Sequence, residues 1–91
     1  MTKDAGNAQV RIIETDGSER TIEAPRDGMF AALYPELRCT MLELVTLNDG
    51  REMLCDEEGR LRGRELNWKA SQLAERYIVG AVAVLDAGDL L

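Results

Sequence analysis

Histidine is absent from the chain, and proline (two), cysteine (two) and aromatic residues (4%) are scarce. Without histidine there is no imidazole general base, no imidazole ligand for zinc and no Ser/His or Cys/His nucleophile pair. Cys39 and Cys55 do not make a disulfide framework, which in a small secreted domain takes about four cysteines or more. No apolar run approaches the roughly 20 residues that span a bilayer. Positive charge is short as well. Lys+Arg is 11 against 17 Asp+Glu, a net charge of −6 and a pI of about 4.6. Such a chain is a poor non-specific binder of nucleic acid, because gripping the phosphate backbone needs Lys and Arg to displace counterions. The opening Met1-Thr2-Lys3-Asp4-Ala5-Gly6-Asn7 lacks the apolar stretch of a secretory signal. The expectation is a cytoplasmic protein with reduced thiols and no membrane segment.

What is present is a globular mixture. At 45% hydrophobic and 31% charged, the composition is that of a folding chain rather than a disordered one. Its 91 residues suit one domain. Residues 1–8 are small and polar and read as a flexible tail, 9–85 as a single domain, and 86–91 as a short C-terminal tail.

Within the domain, residues 9–15 (QVRIIET) and 19–24 flank Asp16-Gly17-Ser18, a turn, and predict a first hairpin. Pro25 suits a first helical turn, and Met29, Phe30 and Leu33 recur at helical spacing, so 26–34 predicts a helix that Pro35 should end. Residues 40–47 (TMLELVTL) and 51–55 surround Asn48-Asp49-Gly50, a strong hairpin signal with Gly50 suited to a left-handed position. A three-residue turn pairs Leu44 with Leu54 and Val45 with Met53; a two-residue Asp49-Gly50 turn would shift the register by one. Either register holds Cys39 and Cys55 too far apart for a disulfide.

Asn67 has the chemistry of a helix N-cap. Residues 68–77 place Ala70, Leu73, Ala74 and Tyr77 on one helical stripe. Residues 78–85 (IVGAVAVL) are apolar throughout, as in a strand covered on both faces. The order β-β-α-β-β-α-β predicts an α+β fold, a mostly antiparallel sheet of about five strands with two short helices on one face. Ile12, Leu33, Leu42, Leu44, Leu54, Leu73, Val82 and Val84 are the expected core.

The order of features from Tyr34 onward resembles a family of small proteins encoded by phages, plasmids and related mobile elements, known as a domain of unknown function. The matching residues are Leu33-Tyr34, then Met41-Leu42-Glu43-Leu44-Val45 and Asp49-Gly50. After them come Cys55-Asp56-Glu57-Glu58-Gly59-Arg60-Leu61, Gly63, the Asn67-x-x-Ala70 helix start and Ile78-Val79-Gly80. Val10 to Thr15 fits the family's opening strand. Where members often carry an acidic residue after Ile-Val-Gly, this chain has Ala81. The resemblance implies a mobile-element origin and a cytoplasmic setting, and brings no activity or functional residues with it.

Among residues that carry chemistry, Arg60, Arg62 and Arg64 stand at i, i+2, i+4. On an extended segment they would share one face, suited to phosphate or carboxylate. The plainer reading is a solvated strand face paired with Glu43 or Glu52. Asp49, Asp56, Glu57 and Glu58 fall at turns, read first as solvated, with a spacing unlike a calcium loop. An acidic corner can also present carboxylates where a basic nucleic-acid-binding protein expects phosphates. Trp68 reads as a packing residue before it reads as an interface anchor. Ser71 has no base, and the acidic neighbours of Cys55 should raise its thiol pKa. Gly80 and Gly88 are isolated, so no phosphate loop exists and no cofactor or metal is expected.

The function these features point to is a non-enzymatic binding protein that modulates a host defence or nucleic-acid-handling protein by protein–protein contact. Asp56, Glu57, Glu58, the three arginines and Trp68 are its candidate contacts. The alternatives are a nucleotide or small-molecule module using the Arg row, and a homo-oligomer assembled through an exposed strand edge.

Overall fold

A computed structural model describes residues 6–90. The remaining residues of the two expected tails lie outside it. Seven elements carry the architecture: β1 (Asn7–Ile13), β2 (Glu19–Pro25), α1 (Met29–Leu37), β3 (Leu42–Thr46), β4 (Glu52–Asp56), α2 (Trp68–Ala74) and β5 (Val82–Leu85). The fold is α+β, in the expected element order. The strands form one antiparallel sheet in the order β2-β1-β5-β4-β3.

The last strand in the chain thus lies at the centre of the sheet. That position explains why residues 82–85 are apolar without alternation, since every one of them is buried. The expected strand over 78–85 is shorter in fact. Gly80 takes a left-handed φ of 79°, and residues before it pair elsewhere: Leu66 bridges Val79, and the Asn67 N–H donates to the Ile78 carbonyl at 2.8 Å.

Strand parity divides the core in two. Val10, Ile12, Leu54, Ala83 and Leu85 face α1 through Met29, Leu33 and Leu37. Ile13, Met53, Cys55, Val82 and Val84 face the other way, toward Ala70 of α2. The helices therefore cover opposite faces rather than the same one. Sequence order states that two amphipathic elements exist but not on which side each closes, because a central strand buried on both faces accepts either arrangement.

Both prolines stand elsewhere than expected. Pro25 closes β2, an outer strand, where its lack of an N–H loses no ladder bond. Pro35 lies inside α1 instead of ending it. It removes one hydrogen bond, to the carbonyl of exposed Ala31, which water can satisfy. The helix stops at Leu37, with Arg38 left-handed (φ 55°) and the Cys39 N–H donating to the Tyr34 carbonyl at 3.0 Å.

The second hairpin has the three-residue register, Leu44 opposite Leu54 and Val45 opposite Met53, with Gly50 at φ 91°. Both cysteines are buried and free. The N-terminal boundary moves, because Asn7 and Ala8 already pair with Pro25 and Ala24. Residues 87–89 form a short 3₁₀ turn, held by Arg26 to Asp89 at 2.8 Å.

Three expected core residues are less buried than expected. Leu44 is 51% exposed, because α1 packs on β2 and β5 and leaves the middle of β3 uncovered. Leu42 and Leu73 are only partly buried.

Candidate functional site

Asp56, expected at a solvated turn, is the last residue of β4 and is 5% exposed. A carboxylate at such a depth must be paired and hydrogen-bonded. Arg64 Nε donates to Oδ2 at 2.7 Å, Arg62 Nε lies 3.5 Å from the same oxygen, and the Glu58 N–H donates to Oδ1 at 2.9 Å. The Asp56 carbonyl accepts from the Gly59 N–H at 3.0 Å. Asp56 is therefore the post around which the following loop winds.

That winding undoes the extended arginine row. Residues 57–63 are consecutive turns: the Arg62 N–H donates to the Glu58 carbonyl, Gly63 to Arg60, and Arg64 to Gly59, all at 3.0–3.1 Å. The alternation of arginine with Leu61 and Gly63 looked like a strand, but Leu61 is 88% exposed and has no sheet to face. Arg62 and Arg64 go to one side of the loop and Arg60 to the other. Neither Glu43 nor Glu52 pairs with the row; Glu43 meets Arg76 at 3.2 Å.

On the Arg60 side lies a cleft of about 510 Å³. Its inner wall is Cys55, Ile78 and Val79, and its rim carries Glu43, Glu57, Leu61 and Arg76. Arg60 stacks over the Tyr77 ring, 4.9 Å from its centroid, a cation–π contact that holds both side chains at the mouth. Burial pushes the Cys55 thiol up to about 11, with the Glu43 charge adding to the effect. A thiol so protonated at neutral pH is a poor nucleophile. Of the acidic residues that follow it in sequence, Asp56 acts in the expected direction, and burial is the larger cause.

A second depression of about 340 Å³ gathers Arg38, Arg62 and Arg64 beside Gly80. Three guanidiniums would suit an anion, but each is engaged. Arg38 pairs with Glu14 at 2.9 Å, Arg62 with Glu58 at 3.3 Å and with Asp56, and Arg64 donates to Asp56 and to the Arg38 carbonyl. Among the described residues, no three His, Cys, Asp or Glu side chains converge as metal ligands would.

Trp68 opens α2 and is 64% exposed, so the packing role expected of it is not the one it has. Asn67 does cap the helix, accepting from the Ala70 N–H at 3.0 Å. Its Nδ2 also donates to the carbonyls of Ile13 and Gly80 at 3.0 and 2.8 Å. Tyr77 does not belong to the α2 stripe. The helix ends at Ala74, Glu75 turns left-handed, and the Ser71 hydroxyl both accepts from the Ile78 N–H at 2.9 Å and donates to its carbonyl at 3.1 Å. That exchange draws the chain back and turns Tyr77 outward.

The Leu66–Val79 bridge sets residues 66–68 alongside 77–79. Leu61 lines the cleft with Tyr77, so Leu61, Leu66, Trp68 and Tyr77, all exposed, come from one corner of the molecule. Of the residues singled out from sequence, Asp56, Glu57 and Arg60 line the cleft, Arg62 and Arg64 line the second depression, and Glu58 and Trp68 line neither. Glu43, Cys55, Arg76 and Tyr77 were not legible as cleft residues, since they come from β3, β4 and the segment after α2 and form no common local pattern. No helix among the described residues is long and apolar enough to cross a membrane. No protein-family model matches the chain, and neither the curated proteins nor the solved structures contain a match.

Proposed function

We propose that the protein is a non-enzymatic binding protein that acts by protein–protein contact through the corner built from residues 57–68 and 77–79. One observation carries this reading. Leu61, Leu66, Trp68 and Tyr77 are exposed together, with Arg60 stacked on Tyr77. Large aromatic side chains and arginine beside an open cleft are the composition of interface anchors. Exposed apolar side chains gathered in one place in a small chain favour a partner over bare solvent.

The acidic balance of the chain and its resemblance to mobile-element proteins extend the proposal. The partner is a basic host protein of defence or nucleic-acid handling, met in the cytoplasm. A net charge of −6 steers such an encounter. The alternative of a nucleotide module draws less support, because Arg62 and Arg64 are already committed to Asp56.

The test is affinity capture from host lysate with the parent and a Trp68→Ser/Tyr77→Ser double variant. Both residues are exposed, so the variant should keep the parental melting temperature. A partner retained by the parent, released by salt and lost from the double variant supports the reading. Equal capture by both proteins removes this corner from the interface. A melting temperature raised by nucleotides, with no partner captured, would favour the alternative.

A further inference from the structure

The sheet has two outer strands, and its hydrogen bonds show which residues of each face outward. The Leu47 N–H donates to the Arg51 carbonyl at 2.8 Å, and the Glu57 N–H to the Met41 carbonyl at 3.0 Å. Bonded pairs alternate in an antiparallel ladder, so the odd-numbered residues of β3 bond to β4. Leu42, Leu44 and Thr46 turn their N–H and C=O groups away, where no strand of the described residues pairs. For β2 the Glu14 N–H donates to the Ser18 carbonyl at 2.9 Å and the Arg26 N–H to the Gly6 carbonyl at 3.0 Å. Its outward residues are therefore Glu19, Thr21, Glu23 and Pro25.

Carboxylates and proline on an outer strand discourage addition of another chain. The β2 edge has both. The outward positions of β3, Leu42, Leu44 and Thr46, have neither, its one carboxylate, Glu43, is paired with Arg76, and half of the Leu44 surface is open.

Charge around β3 selects what could pair there. Glu43 is matched by Arg76, and Asp49 by Arg51. Glu52, Glu57 and Glu75 have no ion-pair partner among the described residues, and Arg60, stacked on Tyr77, is the cation left to balance them. A second copy of this chain would bring −6 against −6 and set like charges side by side, which disfavours pairing. Glu43 and Glu57 border the cleft, and Glu75 follows α2, so these carboxylates belong to the α2 side of the sheet. Leu44 shares the other side with its partner Leu54.

We propose that β3 takes up an extended basic segment of a partner protein as a sixth strand. The segment's main chain bonds to Leu42, Leu44 and Thr46. Its apolar side chains pack against Leu44, and the alternating Lys or Arg side chains lie on the side of Glu57 and Glu75, the carboxylates there without an ion pair among the described residues. Main-chain bonds supply affinity in such strand addition, and alternate side chains supply selectivity. The inference rests on the reading of the protein as a binding module and names the chemistry of its partner.

The probe is a fluorescent synthetic peptide of roughly ten residues alternating Val and Lys, titrated with the full chain. Two further versions carry N-methyl groups on every Val or on every Lys, and a fourth alternates Val and Glu. The Val/Lys peptide should bind. One N-methyl set should weaken binding by about tenfold or more while the other leaves it unchanged: the Val set for antiparallel addition, the Lys set for parallel. The Val/Glu peptide should not bind, and Leu44→Lys in the protein should weaken the Val/Lys peptide. Equal binding of both N-methyl versions, or equal binding of the Val/Glu peptide, overturns the proposal. So does a dimer in sedimentation that Leu44→Lys dissolves. Partner capture that depends on Trp68 and Tyr77 without any peptide binding overturns the sixth strand and leaves the binding function standing; loss of both overturns both.

Discussion

The two hairpins of this protein are built alike and end in opposite surfaces. Each is an antiparallel pair closed by a turn with a left-handed glycine, Gly17 in the first and Gly50 in the second. Yet β2 is laced to the rest of the molecule by ion pairs, Glu19 to Lys69 at 3.0 Å and Arg20 to Glu14 and Glu36 at 2.8 and 2.6 Å. Among the described residues, the other outer strand, β3, has only the Glu43–Arg76 pair. α1 lies over β2 and stops short of β3. Both are outer strands, so the contrast comes from their own residues, Glu19, Glu23 and Pro25 in β2 against Leu42, Leu44 and Thr46 in β3, and from the helix that covers one and not the other.

The sharpest test of that contrast lies within one cross-strand pair. Leu54 and Leu44 stand opposite each other, the first fully buried and the second 51% exposed. Leu54→Ala should cost about 2–5 kcal/mol in denaturant unfolding. Leu44→Ala should stay within about 0.5 kcal/mol, as surface substitutions do. Similar losses at the two positions would mean that α1 or a partner covers β3.

Next in size is the post under the loop. Asp56→Ala removes the acceptor for Arg64, Arg62 and the Glu58 N–H, and should cost about 3 kcal/mol. Replacing Glu57 and Glu58 together by Ser should leave the melting temperature nearly unchanged. An Asp56→Ala protein as stable as the parent would show that the loop does not depend on its buried carboxylate.

The pH profile adds a further measurement. Burial raises the Cys55 thiol from 9.0 to about 11, so the folded state keeps a proton that the unfolded chain releases. Stability should then be complete below about pH 9 and fall as pH rises from about 9 to about 11. Cys55→Ala should flatten that part of the curve. An unchanged slope would place the alkaline loss elsewhere. Alkylation of the folded protein at neutral pH should be slow at both cysteines, since burial raises the Cys39 thiol as well.

The smallest effect belongs to the guarded border. Arg20→Ala breaks two exposed pairs and should cost about 1 kcal/mol or less, a loss that salt in the parent should mimic. A loss as large as that of Leu54→Ala would mean that ion pairs, and not the core beneath them, hold β2.

Much of this was readable beforehand because it depended on neighbours in the chain. The Asn48-Asp49-Gly50 turn set the register of β3 and β4, Asn67 marked the start of α2, and the all-apolar 78–85 run pointed to a strand buried on both sides. The failures share a cause. Pro25 and Pro35 were read by their usual local roles, but an outward-facing N–H position and an exposed carbonyl made other placements cheap. Arg60, Arg62 and Arg64 alternated like a strand, and a buried carboxylate four residues before the first of them wound the segment into turns instead. Trp68 and Tyr77 had the character of core residues, and the core was already filled by smaller side chains from β4 and β5.

By itself the sequence determined the α+β element order, the register of the second hairpin with both cysteines free, and the lack of any histidine for imidazole chemistry. These follow from composition, from period and from turn stereochemistry, which act within a few residues. Only the tertiary structure decided which face each helix covers, which outer strand stays open, and which side chains meet at the cleft. Those outcomes depend on which surfaces are covered once five strands and two helices compete for the same core, and no local pattern records the result of that competition.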